Sequence, residues 1–230
     1  MPTLVVFGAR NLGRVIATML SADGWKVAGV ARSEETIRTF EDDVPGAVGL
    51  IADAAEVEQV ERVFNDVGEV DLVVNAITRS PAFGGPIHEA PAGALEPYVG
   101  ELLPAIFNVL SVGGRSLAAR RKGTLVQVTG GSARRGNPGR GPWAAAAFAT
   151  RALVQSQAAE LREHGVHVAL LIVDAMIESE KTAQWLEDEP PEKSASMEDV
   201  ARAVKYLYEQ TPRGWSHELQ LTPALERWVP

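Results

Sequence analysis

Two glycines near the N-terminus have the spacing of a phosphate-binding turn. Leu4–Phe7 is an apolar run, Gly8 follows it directly, and Gly13 opens an amphipathic stretch. A strand, a glycine turn and a helix in this order can place backbone N–H groups and a helix N-terminus against a diphosphate. The spacing alone is equally typical of a plain tight turn, so the surrounding sequence has to decide.

The charge of the residues that follow the second apolar run, residues 26–31, helps to distinguish an NAD site from an NADP site. An NAD site usually has a carboxylate here, which binds the ribose hydroxyls. This sequence has Arg32 and Ser33 instead. Arg32, with Arg10 from the turn, can pair with a 2′-phosphate through a guanidinium fork, which favours NADP(H) over NAD(H). The alternative is that both arginines are solvated surface cations.

Short β-branched runs alternate with amphipathic stretches along the whole chain. This alternation predicts an α/β fold of the Rossmann type, a doubly wound parallel sheet of about seven strands with helices on both faces. We expect ligands at the carboxyl ends of the strands, near the switch in strand order. Strands are predicted at 4–7, 26–31, 48–52, 71–75, 124–129, 166–173 and 218–221, and the main helices at 11–22, 33–40, 57–67, 95–112, 143–164 and 197–208.

Several segments together resemble the short-chain dehydrogenase/reductase family, from residue 3 to about residue 222. The resemblance rests on Gly8-Ala9 with Gly13-Arg14-Val15-Ile16-Ala17, Ala52-Asp53, Val73-Val74-Asn75-Ala76, residues 123–129 and residues 197–201. It implies one dinucleotide-binding domain over 1–230 and a homodimer or homotetramer. The implied cofactor-binding residues are Gly8, Arg10, Asn11, Leu12, Gly13, Arg32, Ser33, Asp53, Ala54, Asn75, Ala76 and Ile77.

The glycine turn departs from the family pattern because it is one residue short. Leu12 is expected where the family has its middle glycine, which lets the backbone approach the pyrophosphate. A leucine at that position would narrow the approach, and one open outcome is that no dinucleotide binds.

The family's catalytic residues are missing from the positions where the resemblance places them. The family uses Asn, Ser, Tyr and a Lys four residues after the Tyr, and this chain has no Tyr followed by Lys at that spacing. The matching positions are Leu102, Gly130, Trp143 and Ala147. None of these side chains titrates, so ordinary carbonyl reduction through a Tyr–Lys pair is not expected.

Three interpretations of the altered pocket remain open. The chain is a binding or sensing protein without catalysis, a non-redox enzyme that reuses the pocket, or a reductase in which water or another group replaces the Tyr. Arginines near the fifth strand could bind an anionic substrate, and His88 could donate a proton near pH 7. The pocket candidates are Arg79, His88, Thr129, Trp143, Asp174 and Met176, together with Ser80, Arg134, Arg135, Arg140 and Glu178.

Composition excludes other classes of function. The formal net charge is −8, which argues against a nucleic-acid surface. The chain has no Cys, so it has neither disulfides nor thiolate metal sites, as is usual in a reducing cytoplasm. His164 and His167 lack further ligands, so no metal site is predicted. No apolar run approaches the length of a membrane span, and neither a membrane nor a nucleic-acid partner is expected.

Overall fold

All seven strands form one parallel sheet in the computed structural model, which describes residues 1–79, 83–180 and 182–226. The strand order is β3-β2-β1-β4-β5-β6-β7, so the predicted doubly wound α/β fold is confirmed. The order reverses between β1 and β4, which opens a crevice at their carboxyl ends. The strands are β1 (Thr3–Phe7), β2 (Lys26–Ala31), β3 (Val48–Ile51), β4 (Leu72–Asn75), β5 (Gly123–Gly130), β6 (Val166–Val173) and β7 (Glu218–Leu221).

Helices cover both faces of the sheet. One layer contains α3 (Val57–Val67), α4 (Leu103–Arg120) and α5 (Gly141–Leu161), and the other contains α1 (Leu12–Ala22), α2 (Glu34–Asp43) and α7 (Met197–Glu209). A short helix, α6 (Ala183–Leu186), lies in the segment after β6.

Side chains of the central strands alternate between two hydrophobic cores. In β1, Val5 and Phe7 pack toward α3 and α4, whereas Leu4 and Val6 pack toward α1 and α7. All residues of β6 are buried, as expected from its apolar run over 168–173, because a strand covered by helices on both faces carries apolar residues on both. These two cores fix the register of the strands whose ends form the candidate site.

The fourth helix is longer than its sequence predicts. We expected a helix around 95–112, but a π-helical segment, Pro97–Leu102, leads into α4, which ends at Arg120. Gly113 and Gly114 signal a helix end in the sequence, yet here they allow close packing. A Cβ on Gly114 would lie 2.3 Å from Gln157 Nε2, and one on Gly113 would lie 3.2 Å from the ring of Phe64.

The combined segment Pro97–Arg120 is long and apolar enough to cross a membrane by length and composition. Half of its most apolar window is buried inside the fold. It packs between β4, β5 and α5 as a core helix does, and core helices of this kind pass the same test.

Candidate functional site

The turn after β1 is held tightly between the ends of two other strands. The backbone N–H groups of Gly8 and Ala9 donate to the carbonyl oxygen of Val30 in β2, at 3.0 and 3.1 Å. Gly8 has φ +88°, and a Cβ there would lie 2.9 Å from the carbonyl oxygen of Ala76. Only glycine satisfies both constraints, so the turn lies directly against the end of β4.

The glycine-like conformation in the middle of this turn belongs to Asn11 and not to Leu12. Asn11 has φ 45° and ψ −112°, a region that residues with a Cβ rarely adopt. Leu12 begins α1, and its side chain packs against the core beside α1 and α7. The expectation that Leu12 replaces the middle glycine is therefore wrong by one residue, because Leu12 packs inward and Asn11 makes the turn.

Free backbone donors collect at the start of α1. The N–H groups of Asn11, Leu12 and Arg14 make no hydrogen bond within the described ranges, whereas that of Gly13 donates to Arg10. Asn11 makes no side-chain cap, and the first turn contains no acidic residue. Free N–H groups at the positive end of an 11-residue helix suit a diphosphate, so these residues fit the phosphate half of a dinucleotide.

The end of β2 carries exposed positive charge. The Arg32 side chain is 73% exposed, and its only ion-pair contact in the described structure is a distant one, 3.9 Å to Asp53 Oδ2. Arg10 is also exposed. Ser33 caps α2, because its hydroxyl accepts a hydrogen bond from the N–H of Thr36 and donates one to the Thr36 hydroxyl. Arg32 and Arg10 thus remain available to an anionic group.

The loop after β3 has a defined shape. Asp53 Oδ1 accepts a hydrogen bond from the N–H of Ala55 at 3.0 Å, and the N–H of Asp53 donates to Gln59 Oε1 at 2.9 Å. Asn108 on α4 donates to the carbonyl oxygens of Ala54 and Ala55. These bonds hold Asp53 and Ala54 in place beside Arg32.

Two buried amides meet at the ends of β4 and β5. Asn75 and Gln127 are paired in the ladder, and both side chains are fully buried. Asn75 Oδ1 accepts from the N–H of Ile77, which shapes the backbone at Ala76 and Ile77. Asn75 Nδ2 and Gln127 Oε1 have no partner in the described structure. One buried donor in β4 and one buried acceptor in β5 are thus without a hydrogen-bond partner in the described structure, beneath the crevice.

An aromatic pair lies where the resemblance places the catalytic Tyr. Trp143 and Tyr98 meet edge to face with ring centroids 5.9 Å apart, and Tyr98 is fully buried. Leu102 and Ala147, two of the residues that the resemblance matches to the family's catalytic positions, are buried. At Gly130 a Cβ would come no closer than 3.9 Å to the carbonyl oxygen of Val173, so a side chain would fit there.

A buried ion pair links the ends of β5 and β6. Asp174 is 4% exposed and accepts hydrogen bonds from Arg135 Nη1 and Nη2 at 2.8 and 2.9 Å. Gln220 Nε2 also donates to Asp174, at 3.2 Å. A Cβ on Gly131 would overlap Asp174 Oδ1 at 1.8 Å, so glycine is required beside the carboxylate. The ion pair with Asp174 neutralises Arg135, one of the arginines that the sequence suggests as binding groups for an anionic substrate.

The other pocket candidates are more peripheral. Arg79 pairs with Glu101, and the His88 side chain is 81% exposed beside Glu89. Thr129 is half-buried at the end of β5, whereas Met176 and Glu178 are exposed. Ser80 lies outside the described residues. Residues 1–79, 83–180 and 182–226 contain no group of three His, Asp or Glu side chains that could hold a metal.

His167 lies at the other end of the sheet, at the start of β6. Its two ring nitrogens are 3.1 and 2.9 Å from the carbonyl oxygens of Leu207 and Ser216, and its ring stacks on Trp215. Burial lowers the pKa of His167, although the two carbonyl contacts oppose this shift. This histidine therefore has a structural role.

Sequence reasoning missed four residues that shape the site: Tyr98, Asn108, Gln127 and Gln220. Gln127 carried a usable signal, because a polar residue inside an apolar strand must find a special environment. The other three contact partners far away in the sequence, which local patterns do not indicate.

Comparisons with known proteins agree on one family. Residues 2–190 match the family model described as short chain dehydrogenase. The chain is 28% identical to the 3-oxoacyl-[acyl-carrier-protein] reductase of Escherichia coli (strain K12), with 89% of this chain and 88% of that protein covered. It is 27% identical to L-xylulose reductase of Bos taurus, with 85% and 79% covered.

Solved structures show the same fold. A short-chain type dehydrogenase/reductase from Mycobacterium ulcerans superposes with a TM-score of 0.87 at 20% identity and covers 96% of this chain and 88% of its own. A metagenomic short-chain oxidoreductase in complex with NADP gives a TM-score of 0.80 at 22% identity, with 98% of both chains covered.

Proposed function

This chain belongs to the short-chain dehydrogenase family, and we propose that it is a single-domain NADP(H)-binding protein over 1–230 that does not use the Tyr–Lys pair of that family. The family binds a nicotinamide dinucleotide. The observation that carries the proposal is a contrast within one crevice. The phosphate turn keeps Gly8, Gly13 and free backbone donors although it is one residue short, whereas the positions that the resemblance matches to the catalytic residues hold Leu102, Gly130, Trp143 and Ala147.

The preference for NADP(H) rests on charge at the end of β2. β2 is followed by Arg32 and Ser33, and neither residue is the carboxylate that an NAD site usually has here. The side chain of Arg32 is largely exposed. Arg10 is exposed in the glycine turn, next to Ala9, whose N–H donates to the carbonyl oxygen of Val30 in β2. A 2′-phosphate would draw both guanidinium groups, and Ser33 would lie beside it at the start of α2. Similar solved structures include a short-chain oxidoreductase in complex with NADP, a polyketide ketoreductase with NADPH and an NAD+-bound xylitol dehydrogenase, so the preference rests on the charge of this chain.

The residues of this chain can bind and orient a dinucleotide, but they do not supply the proton of carbonyl reduction. A bound nicotinamide cofactor would supply or accept a hydride. The free amides of Asn11, Leu12 and Arg14 would hold its phosphates, and Asp53 would lie beside its adenine. At the family's catalytic positions, Tyr98 is enclosed against Trp143 and the Lys position holds Ala147, so the Tyr–Lys route has no proton donor.

The Arg135–Asp174 pair favours a second candidate, a non-redox enzyme that reuses the pocket. Asp174 provides a buried carboxylate just after β6, whereas the residues matched to the family's catalytic positions carry no ionisable group. A sensor and a non-redox enzyme both predict that NADPH is not consumed, and only the enzyme predicts turnover of a substrate.

Restoration of the family residues tests the proposal. The triple variant Gly130→Ser, Trp143→Tyr and Ala147→Lys should oxidise NADPH with a generic ketone or quinone, whereas the wild-type chain should not. The space around Gly130 admits the serine. A matched control that carries Trp143→Phe in place of Trp143→Tyr should stay inactive. Steady turnover by the wild-type chain at typical enzyme rates would overturn the proposal.

We also propose a homodimer or homotetramer in the cytoplasm, with no membrane or nucleic-acid partner. Phe107 on α4 and Phe148 on α5 are 52% and 44% exposed on neighbouring helices. Exposed aromatic side chains of this kind mark surfaces that a partner copy would cover. The cysteine-free sequence suits a reducing compartment.

A further inference from the structure

One part of the chain has a charge balance opposite to the rest. Residues 102–159, which include all of α4 and most of α5, contain no Asp or Glu and eight Lys or Arg, in a protein whose formal net charge is −8. Such a segment offers positive charge to acidic residues elsewhere in the fold, to solvent or to an anionic ligand.

Six of these eight basic residues have structural partners. Arg115 pairs with Glu61, Arg120 and Lys122 pair with Asp71, and Arg121 donates to the carbonyl oxygen of Glu163. The other two pairs are bidentate: Arg135 with Asp174, and Arg151 with Glu218. Acidic side chains and backbone carbonyl oxygens therefore provide partners for these six cations.

Arg134 and Arg140 are the two that remain. Neither has an acidic side chain within 4.0 Å in the part of the chain that the structure describes, and both lie on the loop between β5 and α5. The N–H of Gly85, from the loop after β4, donates to Gly139 at 3.1 Å, and Asp174 fixes Arg135 at the other end. The two free arginines thus lie at the carboxyl edge of the sheet, between the ends of β4 and β6.

The start of α5 adds to this positive charge. Arg140 is the N-cap of a 21-residue helix and makes no side-chain cap, and no acidic residue occupies the first turn. The N–H of Gly141 has no partner within the described residues. An uncapped N-terminus of a long helix favours an anion independently of the side-chain charges.

We infer that the β5–α5 loop binds the oxyanion of a small-molecule ligand, a carboxylate or a phosphate, through Arg134, Arg140 and the start of α5. Arg135 does not bind this group directly, because Asp174 holds both of its Nη atoms. The inference rests on the proposed function, since it names the class of molecule that would occupy the crevice beside the dinucleotide.

Thermal unfolding in the presence of defined anions tests the inference. The probes are succinate and inorganic phosphate, with neutral succinamide at matched ionic strength as the blank. The chain variants are Arg134→Gln/Arg140→Gln and a control of equal charge change, Arg38→Gln/Arg62→Gln on α2 and α3. At a tenfold excess over the dissociation constant, the wild-type chain and the control should gain about 3–5 °C in Tm with the preferred anion. The Arg134/Arg140 variant should gain none.

Each outcome separates this inference from the proposed function. A rise in Tm with phosphate that persists in Arg10→Gln/Arg32→Gln shows binding at the β5–α5 loop and not at the dinucleotide turn. A larger rise with succinate than with phosphate indicates a carboxylate ligand, and the reverse indicates a phosphate. No rise in the wild-type chain, or an equal rise in the Arg134/Arg140 variant, overturns the inference. NADPH affinity is measured on the same variants. Its absence in the wild-type chain would overturn the proposed function alone, whereas its loss only in the Arg134/Arg140 variant would overturn the inference, by placing those residues in the dinucleotide site.

Discussion

Removal of either partner from the Arg135–Asp174 pair should destabilise the fold strongly. Asp174 is 4% exposed, and its two bonds to Arg135 are short and parallel. Removal of one partner from a fully buried pair costs about 3–5 kcal/mol, because the other charge stays buried and unpaired. Arg135→Gln leaves the carboxylate buried with Gln220, so we expect about 3 kcal/mol. Asp174→Asn leaves an arginine whose side chain is 23% exposed, so we expect about 2 kcal/mol.

A double-mutant cycle isolates the interaction. Arg135→Gln/Asp174→Asn replaces two charges by two amides, so its cost should be less than the sum of the single variants by about 1.5–3 kcal/mol. Urea unfolding followed by tryptophan fluorescence gives each free energy of unfolding, and Tm should fall by about 2–4 °C per kcal/mol in a chain of this size.

An exposed ion pair provides the control for this cycle. Arg202 and Asp199 are both 66% exposed on α7, so Arg202→Gln should cost less than about 1 kcal/mol. The reasoning is refuted if the two single variants at Arg135 and Asp174 also cost less than this, or if their effects simply add. Either result would mean that the pair is solvated and does not hold the loop after β5.

Three further predictions concern backbone strain, pH and assembly. Asn11→Gly should raise the free energy of unfolding by about 1 kcal/mol and Asn11→Ala should lower it, because φ is 45° at this position; no gain in urea unfolding for the glycine variant would contradict this. Burial lowers the pKa of His167, so stability should be constant above about pH 6.5 and fall as the pH drops through the lowered value. In His167→Gln the free energy of unfolding should fall less steeply with decreasing pH; the slope due to one histidine is at most about 1.4 kcal/mol per pH unit. An unchanged pH profile of stability would refute this role of His167. Phe107→Glu/Phe148→Glu should convert the proposed oligomer to a monomer in sedimentation velocity, and an unchanged oligomeric mass would contradict an interface at these residues.

The sheet and most helices were predictable because their signals are local. Apolar runs mark β1 over 4–7 and β6 over 168–173, and Ser33 and Ser196 mark helix starts whose hydroxyl caps are present in the structure. The end of α4 was not predictable, since Gly113 and Gly114 allow close packing with neighbours that only the tertiary fold brings near.

The site was predictable only in outline. Gly8, Gly13 and Arg32 follow directly from the strand–turn–helix pattern, but the exchange of roles between Asn11 and Leu12 depends on backbone angles. The neutralisation of Arg135 by Asp174 joins residues 39 positions apart. Tyr98 and Trp143 form their pair through two different elements. Long-range pairs of this kind depend on strand register, which a single sequence does not display.

An equilibrium titration of the wild-type chain and of Arg10→Gln/Arg32→Gln with NADPH and NADH tests the central claim most directly. We expect the wild-type chain to bind NADPH at least about tenfold more tightly than NADH, since charge-assisted bonds to the 2′-phosphate contribute roughly 1.4 kcal/mol or more. The variant should lose this preference and keep its affinity for NADH. Equal binding of the two dinucleotides by the wild-type chain, or binding of neither, would contradict the account.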